Sequence, residues 1–176
     1  MTTEQMIEVY GLPNKTGKGY LELVNIPYPM RLAWDTGISV KRISCHKLVV
    51  EDIINVFEDI ESHYGYDRLK ELGIDLYGGM FMYRPKRGKE KSYIAAIEKK
   101  DYVLASKYLS THSWGTSIDL DPARNLLWET SGTARFARDE YSVMIDIFEC
   151  YGFESLGRKK NYDWMHFQKT LNKLRC

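Results

Sequence analysis

The strongest folding signal in the chain is one amphipathic helix. Val50, Ile53, Ile54, Phe57, Ile60 and Tyr64 recur at the i, i+3, i+4, i+7 spacing, which lines up side chains on one helical face. Glu51 and Asp52 fall in the first turn, where the helix dipole favours acids, and Gly65 supplies a stop. A second stripe, Tyr141, Met144, Ile145 and Phe148, predicts a helix over 138–151 ended by Gly152. The strand signals around these helices are short and irregular. Residues 20–26 are strand-like, and the Ile26-Pro27 and Tyr28-Pro29 steps keep the following backbone extended. Residues 74–83 read as a strand broken at Gly78-Gly79. Residues 116–120 read as a strand stopped by Asp121-Pro122, and 164–168 as a last strand. Helices and strands therefore do not alternate as regular βαβ units. The expected fold class is α+β, with a small antiparallel sheet flanked by helices.

The length of 176 residues suits a single domain over 1–176 and is enough to bury a core without disulfides. With 44% apolar and 13% aromatic residues the chain is not of disordered composition. Its 25 basic and 24 acidic residues leave a formal charge of +1, which argues against bulk nucleic-acid binding or stable membrane-surface association. The three cysteines, Cys45, Cys150 and Cys176, show no C-x-x-C spacing. They are expected to stay free in a reducing compartment. No run of apolar residues is long enough to span a bilayer, and the start MTTEQMIEVYG lacks a basic n-region with an apolar core. Cytoplasmic synthesis without a signal peptide, and a monomer, are the expectations.

The chemistry concentrates in two short segments. Ser110-Thr111-His112-Ser113-Trp114-Gly115-Thr116-Ser117-Ile118-Asp119 holds one histidine, and Asp163-Trp164-Met165-His166-Phe167-Gln168 holds another. Two imidazoles and one carboxylate suffice as protein ligands for a catalytic zinc, and a remaining carboxylate can act as general base. His112 and Asp119 are seven residues apart, so they meet only if the chain bends, for which Gly115 is permissive. Spacing alone does not choose between Asp119 and Asp121, which share a strand face. Asp163 and His166, three apart, point to opposite faces of a regular strand. One of them must therefore sit at a strand end or bulge to share a site.

The segment 110–119 resembles the S-x-H-x-x-G-x-A-x-D signature of the zinc D-alanyl-D-alanine carboxypeptidase family. That family includes phage endolysins that cut the L-alanyl-D-glutamate bond, and its fold is shared with the hedgehog domain. D-W-M-H-F-Q at 163–168 resembles its E/D-x-x-H element, and Y-G-G-M-F-M-Y-R-P-K-R-G at 77–88 resembles the arginine-bearing stretch before the first zinc motif. The resemblance covers about 48–168, with an N-terminal extension over 1–47.

It implies that His112, Asp119 and His166 bind one zinc ion and that Asp163 stands at the catalytic acid/base position. Arg84 matches the substrate-binding, carbonyl-polarising arginine, with Arg87 a second candidate for the substrate and Ser110 a further contact. The implied activity is hydrolysis of an amide bond next to a D-residue of the peptidoglycan stem peptide, by a D,D-carboxypeptidase or an L-alanyl-D-glutamate endopeptidase. The implied setting is a phage-encoded enzyme acting on the bacterial cell wall, holin-released or virion-borne. The competing classes are a zinc-containing binding domain without hydrolysis and a structural protein of the virion. Ser117 departs from the family's Ala, and residues 89–108 are an insertion expected to form a helix or a lid over the cleft. Trp114 and Trp164, beside the ligand candidates, are expected in the core, His63 on the surface, and Asp121 in a turn.

Overall fold

The computed structural model describes residues 1–171. In chain order the elements are α1 (Thr3–Tyr10), β1 (Leu21–Leu32), β2 (Asp35–His46), α2 (Val50–Tyr64), α3 (Tyr66–Leu72), β3 (Leu76–Gly79), α4 (Glu90–Glu98), α5 (Tyr102–Ser106), β4 (Ser117–Leu120), α6 (Ser142–Cys150), β5 (Phe153–Ser155), α7 (Leu156–Lys160) and β6 (His166–Lys169). Six strands form one sheet in the order β2-β1-β3-β4-β6-β5. The expected α+β class holds. The sheet is mixed, because β1 and β3 pair in parallel while the other neighbours are antiparallel.

The α2 helix runs from Val50 to Tyr64, as its period predicts, and buries Ile53, Val56, Phe57 and Ile60 completely. Each such side chain contributes roughly 1.5–3 kcal/mol of transfer free energy. They share one core with Tyr28 and Met30 of β1, Phe148 of α6 and Phe167 of β6. Two lone 3-10 turns, Arg135–Ala137 and Asp139–Tyr141, precede α6, so that helix begins later than its stripe suggests. Between Asn25 and Met30 the β1–β2 register shifts. Pro27 and Pro29 lie in that gap, where their missing N–H groups leave the ladder interrupted.

The N-terminal segment is tied to the centre of the molecule. Met6 and Tyr10 of α1 belong to the core, the Trp114 indole donates to Gly11 O at 2.8 Å, and the Tyr20 hydroxyl donates to Ser113 O at 2.8 Å. Of the cysteines expected to be free, Cys45 is a buried free thiol and Cys150 is disulfide-bonded. Cys176 lies outside the described residues. The sequence spacing carried no sign of that bridge, because tertiary proximity decides which thiols pair. No helix among the described residues is long and apolar enough to cross a membrane.

Candidate metal centre and catalytic cleft

The site forms where β4 meets β6. Asp119 and His166 are direct cross-strand partners in the antiparallel ladder, so their side chains leave the same face of the sheet. His112 arrives from a 3-10 turn, Thr111–Trp114. Ser110 caps that turn, its Oγ accepting the His112 N–H at 3.4 Å. Gly115 ends it with φ of 68°, in the left-handed region, and donates its N–H to His112 O at 3.0 Å. A Cβ at Gly115 would lie 2.5 Å from Leu21 Cδ2 and 3.0 Å from the His46 nitrogen. The bend that lets residues 112 and 119 meet therefore requires glycine on both conformational and steric grounds.

The segment after β3 braces the same turn. His112 Nδ1–H donates to Met80 O at 2.8 Å, Met82 N–H to His112 O at 3.2 Å, and Arg84 N–H to Ser113 Oγ at 3.1 Å. A carbonyl oxygen can only accept, so the first of these bonds places the His112 proton on Nδ1 and leaves Nε2 to face the site. Gly78 lets β3 approach, because a Cβ there would meet Asp119 O at 2.9 Å.

Three ligand atoms converge. His112 Nε2 lies 3.2 Å from His166 Nδ1 and 3.2 Å from Asp119 Oδ1, and His166 Nδ1 lies 2.8 Å from the same Oδ1. Tetrahedral coordination at about 2.0–2.1 Å sets its ligand atoms about 3.3 Å apart. The triangle thus has nearly the dimensions of one face of such a tetrahedron, and its free side opens on the cleft. The donor set fits a catalytic metal with an open position. Burial pushes the Asp119 carboxyl up, but the two imidazoles outweigh this and hold it well below the usual carboxylate range. Burial pushes His166 down, and the hydrogen bond and charge of Asp119 outweigh it to leave the imidazole raised.

Asp163 does not lie in a strand. It sits in the turn before β6 with φ of 55°, its N–H donates to Leu127 O at 2.9 Å, and its carbonyl accepts the His166 N–H at 3.0 Å. This left-handed turn resolves the three-residue spacing, since Asp163 lines the same cleft as His166. Burial, joined by the charge of Asp119, raises its carboxyl, against the charges of His166, His112 and Arg87.

The cleft has a volume of about 740 Å³. Arg84, Arg87 and Ser110 all line it, together with Asp119, Asp163 and His166, while His112, the third member of the triangle, is buried beside them. Asp121 is separate. It is buried in a turn with φ of 46° and ion-paired to Arg124 at 2.7 Å, which leaves Asp119 as the acid that joins the two imidazoles. The insertion forms α4 and α5, and no described residue of 89–108 lines the cleft, so it is helical but not a lid. Trp114 and Trp164 are buried, and His63 is exposed.

Sequence reasoning missed Trp128. It is 80% exposed and lines the cleft beside Leu126 and Leu127. Its loop is anchored at Asn125, which is fully buried and bridges Asp121 O and the Phe136 N–H. The dipeptide Leu127-Trp128 carries no periodic signal, so nothing in the sequence marked it for display.

No curated protein and no solved structure matches the chain. Residues 104–169 match the family model described as D-alanyl-D-alanine carboxypeptidase. That span holds His112, Asp119, Asp163 and His166 but not Arg84 or Arg87. The resemblance carried by the paired histidine motifs is therefore borne out: residues 104–169, which hold the whole His–Asp–His cluster, are similar to the D-alanyl-D-alanine carboxypeptidase family of peptidases.

Proposed function

We propose that the protein is a zinc-dependent peptidase that hydrolyses an amide bond next to a D-residue of the peptidoglycan stem peptide. The observation that carries this reading is the triangle of His112 Nε2, Asp119 Oδ1 and His166 Nδ1 opening on a cleft that also holds a second carboxylate, Asp163, outside the triangle. When bound, zinc supplies Lewis acidity that polarises a carbonyl and acidifies water. His112, Asp119 and His166 would hold it. The Asp163 carboxylate takes the proton of the attacking water and passes it to the leaving amine. Arg84 offers a charged fork to the scissile carbonyl as negative charge develops there, or to a substrate carboxylate. Arg87 adds a second cation on the same wall, close enough for its charge to act on Asp163. Ser110, at the head of the His112 turn, is available to contact the peptide.

Within this reading a phage-encoded lysis enzyme, holin-released or virion-borne, is the setting the motifs suggest. A non-catalytic zinc-binding domain would have no use for a carboxylate at Asp163. The deciding experiment is mass spectrometry of purified peptidoglycan incubated with the protein, with and without a chelator. Release of D-alanine names a carboxypeptidase, and a new D-glutamyl amino terminus names the endopeptidase. Undigested wall in the presence of stoichiometric zinc overturns the peptidase reading in favour of a binding domain.

A further inference from the structure

His166 faces the cluster through Nδ1, 2.8 Å from Asp119 Oδ1. For Nδ1 to offer a lone pair to a metal, the ring proton must sit on Nε2, and a partner must accept it there. His112 meets the same demand through a backbone carbonyl. His166 meets it with side chains. The Thr111 hydroxyl lies 3.4 Å from Nε2, in the same turn that carries His112. Gln168 is a second polar side chain whose influence reaches the ring. It lies two residues along β6, on the same strand face as His166. The Gln168 Nε2 donates to Glu154 Oε1 at 3.5 Å, and Glu154 is its direct cross-strand partner on β5. With the amide nitrogen turned towards Glu154, the amide oxygen is the atom left to accept from the imidazole. Glu154 is itself ion-paired with Lys159.

We propose that Thr111 and Gln168 are positioning residues for His166, which together accept its Nε2–H and so fix the tautomer and ring angle that present Nδ1 to the metal. Glu154 sets the orientation of the Gln168 amide. This inference rests on the metal reading of the cluster. Partners of this kind shift metal affinity by about 10–100-fold without touching the ion.

The test is a zinc titration against a competing chelator, for the wild-type protein and for Thr111→Val, Thr111→Ser, Gln168→Leu and the Thr111→Val/Gln168→Leu pair. The expected result is a loss of zinc affinity of about tenfold in Thr111→Val and in Gln168→Leu and up to about 100-fold in the pair. Thr111→Ser keeps the wild-type affinity, and the melting of the metal-free variants is unchanged. Nitrogen-15 histidine spectra of the zinc-loaded wild-type protein give a second readout that needs no variant, with zinc expected at Nδ1 and the proton at Nε2 of His166. Unchanged affinity in the pair, or zinc bound through Nε2, overturns the positioning role while the metal site stands. A wild-type protein that takes up no zinc overturns both.

Discussion

The Asp163 N–H donates to the carbonyl of Leu127 at 2.9 Å, and this bond ties the proposed proton carrier to the loop that displays Trp128. It also helps hold Asp163 at φ of 55°, a conformation that costs a non-glycine residue roughly 1–2 kcal/mol. The cost yields a placement that a strand residue could not reach. Asp163 shares the cleft with His166 although the two are three positions apart.

Replacement of Asp163 isolates its chemical role, and Asn is the suitable substitute because it tolerates positive φ better than most residues. Asp163→Asn is expected to bind zinc as the wild-type protein does and to lower kcat by about 10²–10⁴-fold, the usual contribution of a positioned acid/base group. The check is product release from a muropeptide alongside metal content. Undiminished turnover would assign the proton transfer to another group.

Trp128 supports a different prediction. Its ring is 80% exposed on a loop anchored by Asn125, so Trp128→Ala should alter stability by no more than about 0.5 kcal/mol. As a flat face on the cleft wall, it is expected to contact substrate before and during reaction alike. Such uniform binding raises KM when lost and leaves kcat alone. A contact of about 0.5–1.5 kcal/mol corresponds to a KM rise of roughly 2- to 13-fold. Michaelis curves on a soluble muropeptide measure this, and an unchanged KM removes this wall from the binding surface.

Ser117 stands where the family has Ala, and its surroundings give that difference a measurable cost. It is fully buried on β4, and its hydroxyl has no hydrogen-bond partner among the described residues. A buried hydroxyl left unpaired costs about 1–3 kcal/mol. Ser117→Ala removes the hydroxyl without opening a sizeable cavity, so a gain of about 1–2 kcal/mol is expected, or roughly 2–8 °C in melting midpoint for a chain of this size. Calorimetry of the two proteins under equal zinc checks it. A lower midpoint in the variant would show that the hydroxyl has a stabilising partner.

How far each element was legible depended on whether its determinants were local. The α2 helix was readable because its burial follows one period on one face, from Ile53 to Ile60. The β1–β2 hairpin was only half readable. Most of Asp35–Arg42 is exposed, so β2 shows no apolar alternation to reveal it. The candidate ligand set came from the family resemblance of its two motifs, since spacing alone left Asp119 and Asp121 both open. Its geometry was not legible, because it depends on the positive φ of Gly115 and Asp163 and on the close passage of Gly78 against Asp119. Trp128 stayed hidden for the opposite reason. A large aromatic residue ordinarily predicts burial, and only the fold shows that this one is displayed.

His46 gives the last prediction, through pH. It is buried between Tyr10 and Tyr20, with ring centroids at 4.9 and 5.5 Å. Its Nδ1 accepts the Leu48 N–H at 3.1 Å, so the ring proton is on Nε2 and donates to Tyr10 O at 3.2 Å. A second proton would have to enter at Nδ1 and break the Leu48 bond. Burial likewise pushes the imidazole below its ordinary value. The unfolded chain therefore binds a proton, near its ordinary pKa of about 6.5, that the folded protein refuses. Stability from this residue is complete above about pH 6.5 and falls as pH drops towards the lowered folded value, by at most about 1.4 kcal/mol per pH unit. His46→Gln retains a donor and an acceptor but does not titrate. Between about pH 7.5 and 5.5, a window that brackets the ordinary histidine value, the melting midpoint of the wild-type protein should fall more steeply than that of the variant. Parallel curves would assign the acid sensitivity to groups other than His46.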